Sequence, residues 1–261
     1  MKKIYTVFWM VLSLLGLCAC ANIDKQDALD WIPQETLIVP SEKENSEEEV
    51  KRKEITVANN VLVIGNSITL GFGNHGMASS TTETDYYFLL WQYLKEKNPN
   101  IQMNRIAGFG WEGATETGER ITFLEDEVAP YLDENVDLVL IQMGDNVNTK
   151  EKRETFAKDC EKLLEWVQQQ APNARILWIF GRYNLDNATD ILKACEIYGA
   201  EFVDISIVST DEKYMSSLES NYEKEDGTIG VITDYGVASH PGDYGMEVIY
   251  SIIVEHLNYD S

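Results

Sequence analysis

The stretch Val61-Leu62-Val63-Ile64-Gly65-Asn66-Ser67-Ile68-Thr69 decides the fold class of this chain. Its first four residues form a short, unbroken apolar run, which is typical of a strand buried on both faces of a parallel sheet. Gly65, Asn66 and Ser67 follow where such a strand turns into a helix. In open parallel sheets, ligands bind outside the carboxyl ends of the strands, so this junction is also the first place to look for chemistry.

Similar apolar runs alternate with helical stretches through the rest of the chain. The predicted strands are Val61–Ile64, Ile101–Ile106, Val136–Gln142, Arg175–Phe180 and Glu201–Ile205. The predicted helices are Tyr86–Lys97, Lys150–Gln170, Ala188–Tyr198 and Tyr244–Leu257. Strands that alternate with helices indicate βαβ units. We therefore expect residues 57–261 to form one α/β domain, a three-layer α/β/α sandwich around a mostly five-stranded parallel sheet.

Polar residues with catalytic potential follow these strands in a fixed order. Gly65-Asn66-Ser67-Ile68-Thr69 comes first, Gly108-Phe109-Gly110 follows the second strand, and Gly144-Asp145-Asn146 follows the third. His240-Pro241 precedes the last helix. Each motif alone is common, but their order at successive strand ends resembles the SGNH/GDSL hydrolases over roughly residues 57–257. The resemblance implies a flavodoxin-like sheet and a serine esterase that needs no cofactor or metal.

The resemblance assigns Ser67 as nucleophile and His240 as general base. A serine hydroxyl needs a base to remove its proton, and His240 is the best placed of the three histidines. An oxyanion needs two or three directed donors; the candidates are the Ser67 N–H, a glycine N–H from Gly110 or else Gly108, and the Asn146 side chain. Trp111 and Asn66 are candidate substrate-binding residues, since a ring such as Trp111 can stack on a sugar face.

One position departs from the family pattern. The family usually has an aspartate three residues before the histidine, where this chain has Val237. An acidic partner orients the imidazole and stabilises its charged form. Three possibilities stay open: Asp234 turns back to His240, a backbone carbonyl replaces the carboxylate in a Ser–His dyad, or the site is inactive. Six residues is an awkward reach for Asp234, which favours the dyad.

The N-terminus has the features of an export signal. Lys2 and Lys3 precede an apolar run that ends at Leu17-Cys18-Ala19-Cys20, which resembles a bacterial lipobox. The run is short for a membrane span, and an ordinary cleaved signal or an uncleaved anchor is the alternative. We expect residues 1–19 to be a signal peptide, Cys20 to carry lipid, and the polar residues 20–56 to tether the domain. This predicts a protein anchored by lipid to the extracytoplasmic side of the cell membrane.

The charge excludes some partners. With 21 Lys and Arg against 44 Asp and Glu, the 261-residue chain carries a formal charge of −23, which repels phosphate backbones, so nucleic acid is not an expected partner. The leading hypothesis is a lipid-anchored serine esterase acting on a small-molecule or polysaccharide ester, with an O-acetyl sugar as the natural candidate. Alternatives are a silent glycan-binding member, an acyltransferase, a lysophospholipase or a solute-capture lipoprotein.

Overall fold

The computed structural model describes residues 57–257, so the predicted signal peptide, the predicted lipidation site Cys20 and the predicted tether lie outside the described residues. The strands are β1 Asn60–Gly65, β2 Gln102–Ala107, β3 Leu138–Gln142, β4 Arg175–Phe180, β5 Glu201–Asp204, β6 Asn221–Glu223 and β7 Ile229–Val231. The helices are α1 Ser67–Leu70, α2 Tyr86–Lys97, α3 Phe109–Gly113, α4 Thr117–Phe123, α5 Lys150–Arg153, α6 Phe156–Gln170, α7 Ala188–Tyr198, α8 Tyr235–Ala238 and α9 Asp243–Leu257. No helix within this described range is long and apolar enough to cross a membrane.

Strands β1 to β5 form one parallel sheet in the order β2-β1-β3-β4-β5. This is the flavodoxin-like strand order, in which β2 lies on one side of β1 and β3 to β5 are added on the other side. The carboxyl ends of β1 and β3 are therefore the expected place for a ligand. The predicted five-stranded parallel sheet is confirmed.

The two faces of the sheet are covered by separate apolar cores. On one face, alternate strand residues such as Leu62 and Ile141 pack with α6 and α7. On the other face, Val63 and Leu140 pack with α2 and α9. Burial on both faces explains why the central strands are continuous apolar runs instead of alternating ones.

Several elements differ from the sequence prediction, among them the short helices α1, α3, α4 and α8, which were not predicted. The helix predicted over Lys150–Gln170 is interrupted, because α5 ends at Arg153 and α6 begins at Phe156. The hairpin of β6 and β7 was not predicted, since each strand has only three residues. A run that short carries too little hydrophobic pattern to be recognised.

Candidate active site

Ser67 lies at the junction between β1 and α1, at the carboxyl edge of the sheet. Asn66 caps α1, because its side-chain oxygen accepts a hydrogen bond from the Ile68 N–H at 3.1 Å. The tight turn requires Gly65, since a Cβ there would lie 1.9 Å from the Thr69 hydroxyl. As the first residue of α1, Ser67 has a backbone N–H with no acceptor within the helix.

His240 lies near the C-terminal end of the sequence but contacts Ser67 in the folded domain. Its Nε2 lies 2.8 Å from the Ser67 Oγ, across 173 residues of sequence. Its Nδ1 lies 2.8 Å from the carbonyl oxygen of Gly236. Because a carbonyl oxygen can only accept, Nδ1 carries the proton and the unprotonated Nε2 faces the serine hydroxyl. This is the tautomer that a general base requires.

Asp234 does not orient this imidazole. Its carboxylate accepts a hydrogen bond from the Val237 N–H at 3.0 Å and caps α8. The Gly236 carbonyl holds the Nδ1 of His240 instead. The possibility that Asp234 is the acidic partner of His240 in the catalytic group is therefore corrected: the geometry is that of a Ser–His dyad with a backbone acceptor, the arrangement that the sequence favoured.

Asp234→Ala should consequently have little effect on catalysis. We expect kcat to fall less than about ten-fold, while the lost cap lowers the free energy of unfolding by about 0.5–2 kcal/mol. Ester turnover and urea denaturation measure the two effects. Asp211→Ala is the matched control, because Asp211 caps another short helix through the Lys213 N–H. A hundred-fold loss of kcat in a folded Asp234→Ala protein would contradict the dyad.

The environment of His240 favours its neutral form. Burial lowers its pKa below the ordinary value of 6.5, and the nearby positive charge of Arg182 acts in the same direction. The hydrogen bond to Gly236 partly opposes these effects. His240 is therefore available as a base at neutral pH.

The pH profile of ester turnover should reflect this lowered pKa. Protonation of His240 removes the base, so activity falls as pH decreases through the pKa of the folded protein. We expect kcat/KM at pH 6.5 to exceed half of its plateau value and to reach half of the plateau only at a lower pH. A profile of kcat/KM from pH 4.5 to 9, with fluorescence to verify folding, measures this. A half-maximum above pH 6.5 would contradict the assignment.

The candidate oxyanion donors differ in whether their N–H groups already donate hydrogen bonds within the protein. The assignment of Gly108 as an oxyanion donor is corrected, because its N–H donates to the carbonyl oxygen of Gly65 at 2.6 Å. Gly110 is exposed at the second position of α3, where an N–H has no acceptor within the helix. Asn146 is partly exposed, and its Nδ2 has two hydrogens, of which one donates to Glu112. Ser67, Gly110 and Asn146 remain the predicted oxyanion donors.

The two predicted substrate-binding residues are both buried. Trp111 is 1% exposed and packs edge-on against Phe156 and Trp178 in the core. Asn66 is 0% exposed, and its amide donates to Glu112 and Asp145. Neither side chain can contact a sugar, so both assignments are corrected. Trp111 belongs to the core and Asn66 to the support of the nucleophile.

A buried carboxylate network lies beneath the site and was missed in the sequence. Glu112 accepts hydrogen bonds from the N–H groups of Gly144 and Asn146 and from the Asn146 amide. The amide of Asn66 donates to Glu112 at 3.2 Å and to Asp145 at 3.1 Å. Burial raises the pKa of both carboxyl groups, and these hydrogen bonds oppose the increase.

Two residues after β4 complete the surroundings of His240. The ring of Tyr183 lies 5.1 Å from the imidazole and is 39% exposed. The buried Arg182 packs 4.2 Å from the Tyr183 ring and donates to the carbonyl oxygen of Ser239. The sequence analysis missed both residues, although their position just after the end of β4 is the signal that could have found them.

The other two histidines, His75 and His256, do not contact Ser67. His75 is buried, with Nε2 2.8 Å from the carbonyl oxygen of Glu223 and Nδ1 2.8 Å from the hydroxyl of Ser79. His256 lies in the last turn of α9. Over residues 57–257, no group of three or more His, Cys, Asp or Glu side chains is arranged to hold a metal ion.

The fold was compared with known proteins. No family model and no curated protein matches the sequence. A two-domain esterase active on acetylated mannans aligns with a TM-score of 0.53 and 16% identity over 79% of this chain, which spans about half of that protein (51%). An acetyl xylan esterase variant from Geobacillus stearothermophilus has a TM-score of 0.51 and 15% identity over 79% of this chain and 99% of its own.

A protein from Parabacteroides merdae described as GDSL-like lipase has a TM-score of 0.53 and 15% identity over 80% of this chain and 100% of its own. Identities this low establish the fold alone. The similarity in fold agrees with the five-stranded parallel sheet of this chain. The described domain therefore has the α/β fold of the SGNH/GDSL esterases and lipases.

Proposed function

We propose that this protein is a serine ester hydrolase in which Ser67 is the nucleophile and His240 the general base. The observation that carries the proposal is the 2.8 Å contact between the Ser67 Oγ and the His240 Nε2. The Gly236 carbonyl holds the imidazole in the tautomer that can accept the serine proton. A hydroxyl paired in this way with an oriented base is the arrangement used in acyl transfer.

The reaction follows from these positions. The Ser67 oxygen bonds to the ester carbonyl carbon while its proton moves to the His240 Nε2. The bond to the alcohol oxygen then breaks, and that oxygen takes the proton from His240. Water next attacks the acyl-enzyme, His240 accepts its proton and returns a proton to Ser67, and the acid leaves. The backbone N–H groups of Ser67 and Gly110 and the side-chain amide of Asn146 stabilise the oxyanion in both steps.

We infer that the substrate is an O-acetyl ester on a carbohydrate. Two of the proteins with this fold are described as acting on acetylated mannans and on acetyl xylan. The alcohol oxygen must approach His240 to receive its proton, so the alcohol lies on the side of the half-exposed Tyr183 ring. An aromatic face there suits stacking with a sugar ring.

We also propose that the domain is lipid-anchored on the extracytoplasmic side of the cell membrane. The support is the sequence alone: a basic start, a short apolar run and Ala19-Cys20 at its end. A polar tether would then hold the domain away from the membrane, where it meets polysaccharides. Palmitate labelling with wild type and Cys20→Ala tests the anchor separately from the activity.

Acetate release from acetylated xylan and acetylated mannan tests the enzymatic proposal. We expect release by the wild-type chain and none by Ser67→Ala. Fatty acid release from a lysophospholipid is measured in parallel and would indicate a lysophospholipase instead. Detection of acetyl groups on an added unacetylated oligosaccharide distinguishes transfer from hydrolysis. If the wild type hydrolyses neither these esters nor p-nitrophenyl acetate, the esterase proposal fails.

A further inference from the structure

The carboxylate of Glu112 lies directly behind the candidate oxyanion donor Asn146. Its Oε2 accepts a hydrogen bond from the Asn146 Nδ2 at 2.6 Å. Its Oε1 accepts from the N–H of Gly144 at 2.6 Å and from the N–H of Asn146 at 3.2 Å. One side chain of α3 thus holds both the backbone and the side chain of the loop that follows β3.

The charge of Glu112 determines how the Asn146 amide is oriented. A carboxylate has only acceptors, so Asn146 must turn its NH₂ group, and not its carbonyl oxygen, toward Glu112. The Nδ2 has two hydrogens, and one is used in this contact. Asn146 is partly exposed while Glu112 is 0% exposed beneath it. The second hydrogen is then available on the solvent side of the amide.

The same carboxylate also connects to the nucleophile. Asn66, which precedes Ser67 and caps α1, donates from its Nδ2 to the Glu112 Oε1 at 3.2 Å. The two loops that carry the nucleophile and the oxyanion donor are therefore held by one buried anion. Burial of a carboxylate is unfavourable unless it is fully hydrogen-bonded, and four N–H contacts offset that cost here.

We propose that Glu112 is a positioning residue, whose carboxylate holds the Asn146 amide with one N–H directed at the oxygen of the reacting acyl group. The inference rests on the proposed esterase function. Glu112 does not itself contact the substrate; it acts through Asn146. Because the interaction matters most when negative charge develops on the acyl oxygen, its loss lowers kcat more than it raises KM.

Glu112→Gln tests this role with little change in shape. The glutamine NH₂ would face the Asn146 NH₂, so the Asn146 amide must rotate by about 180° and turn its carbonyl oxygen toward the acyl oxygen. We expect kcat for p-nitrophenyl acetate to fall about 10²–10³-fold, the typical cost of one oxyanion donor, with KM changed less than about three-fold. Asn146→Ala should give a similar loss.

The double variant Glu112→Gln/Asn146→Ala distinguishes positioning from general damage. If Glu112 acts through Asn146, the double variant is no slower than Asn146→Ala alone. Glu201→Gln is the matched control, because Glu201 is also a buried carboxylate but pairs with Arg175 at the start of β4. We expect that control to leave kcat unchanged. Independent, multiplying losses in the double variant would overturn the proposal.

A measurement on the wild-type fold keeps the test valid if Glu112→Gln does not fold. In ¹⁵N-resolved NMR spectra, the Asn146 side-chain NH₂ is identified by its loss in Asn146→Ala. We expect one of its two protons to be shifted downfield and protected from exchange, as a 2.6 Å hydrogen bond to a carboxylate requires. Two ordinary, rapidly exchanging protons would overturn the proposal. This readout needs no substrate, so a failed esterase assay and a failed Glu112 contact are distinguishable.

Discussion

Ser67→Ala is expected to reduce kcat for p-nitrophenyl acetate by about 10⁶-fold, the scale seen when a serine hydrolase loses its nucleophile. The variant keeps His240 and the oxyanion donors, but no group remains at the end of β1 that can form the acyl-enzyme. Binding should be almost unchanged, because the substitution removes one hydroxyl from a site whose other contacts persist. Single-turnover kinetics of wild type and variant measure the loss in the chemical step directly.

The fold of the Ser67→Ala protein should remain intact. The Ser67 hydroxyl contacts His240 at 2.8 Å, and alanine is well tolerated in α1. Ser251→Ala is the matched control, since its hydroxyl donates to the Glu247 carbonyl on α9, and it should leave kcat unchanged. A folded Ser67→Ala protein that turns over the ester at the wild-type rate would refute the nucleophile assignment.

Asn66→Asp should strongly destabilise the protein, even though aspartate caps a helix about as well as asparagine does. The Asn66 amide now donates to two buried carboxylates, Glu112 and Asp145. An aspartate would replace both donors with a third buried negative charge, while its oxygen could still cap α1. Such an uncompensated buried charge typically costs about 3–5 kcal/mol. Urea denaturation at pH 8 measures the loss in the free energy of unfolding.

The pH dependence identifies the cause of that loss. Repulsion raises the pKa of the added carboxyl in the folded state, so the variant regains stability as pH falls and one carboxyl takes up a proton. We expect a smaller deficit at pH 5 than at pH 8. Asn173→Asp adds the same charge at an exposed turn and should change stability by less than about 0.5 kcal/mol. An Asn66→Asp protein as stable as wild type at pH 8 would refute this account.

The sequence predicted the sheet because strands buried on both faces must be apolar throughout. Ser67 and His240 were identified through the resemblance of their motifs to those of the SGNH/GDSL hydrolases, and Ser67 follows the end of β1 as the strand pattern predicted. Asn66 was interpreted as a substrate contact, although its surroundings are two carboxylates. That error has a physical origin, because the partners of Asn66 lie 46 and 79 residues away and no local pattern reveals them.

The remaining site residues depended on backbone geometry that composition does not encode. Asp234 caps a four-residue helix, and the Gly236 carbonyl occupies the place of the missing carboxylate. The N–H of Gly108 donates to the carbonyl oxygen of Gly65, which follows from the register of β1 and β2. Glu112 was overlooked because a charged residue beside Trp111 suggests an exposed loop, whereas α3 turns both side chains into the interior.

The long sequence separation between Ser67 and His240 has a consequence for biosynthesis. Ser67 and His240 are 173 positions apart in the sequence. A ribosome that adds about 5–20 residues per second needs roughly 10–35 s to proceed from one to the other. During that interval the nascent chain contains its serine but no base, and helix α9, which completes one face of the sheet, has not been made. The proposed hydrolytic activity therefore cannot begin until almost the entire domain has been translated, and we expect a prematurely terminated product that ends before His240 to be inert.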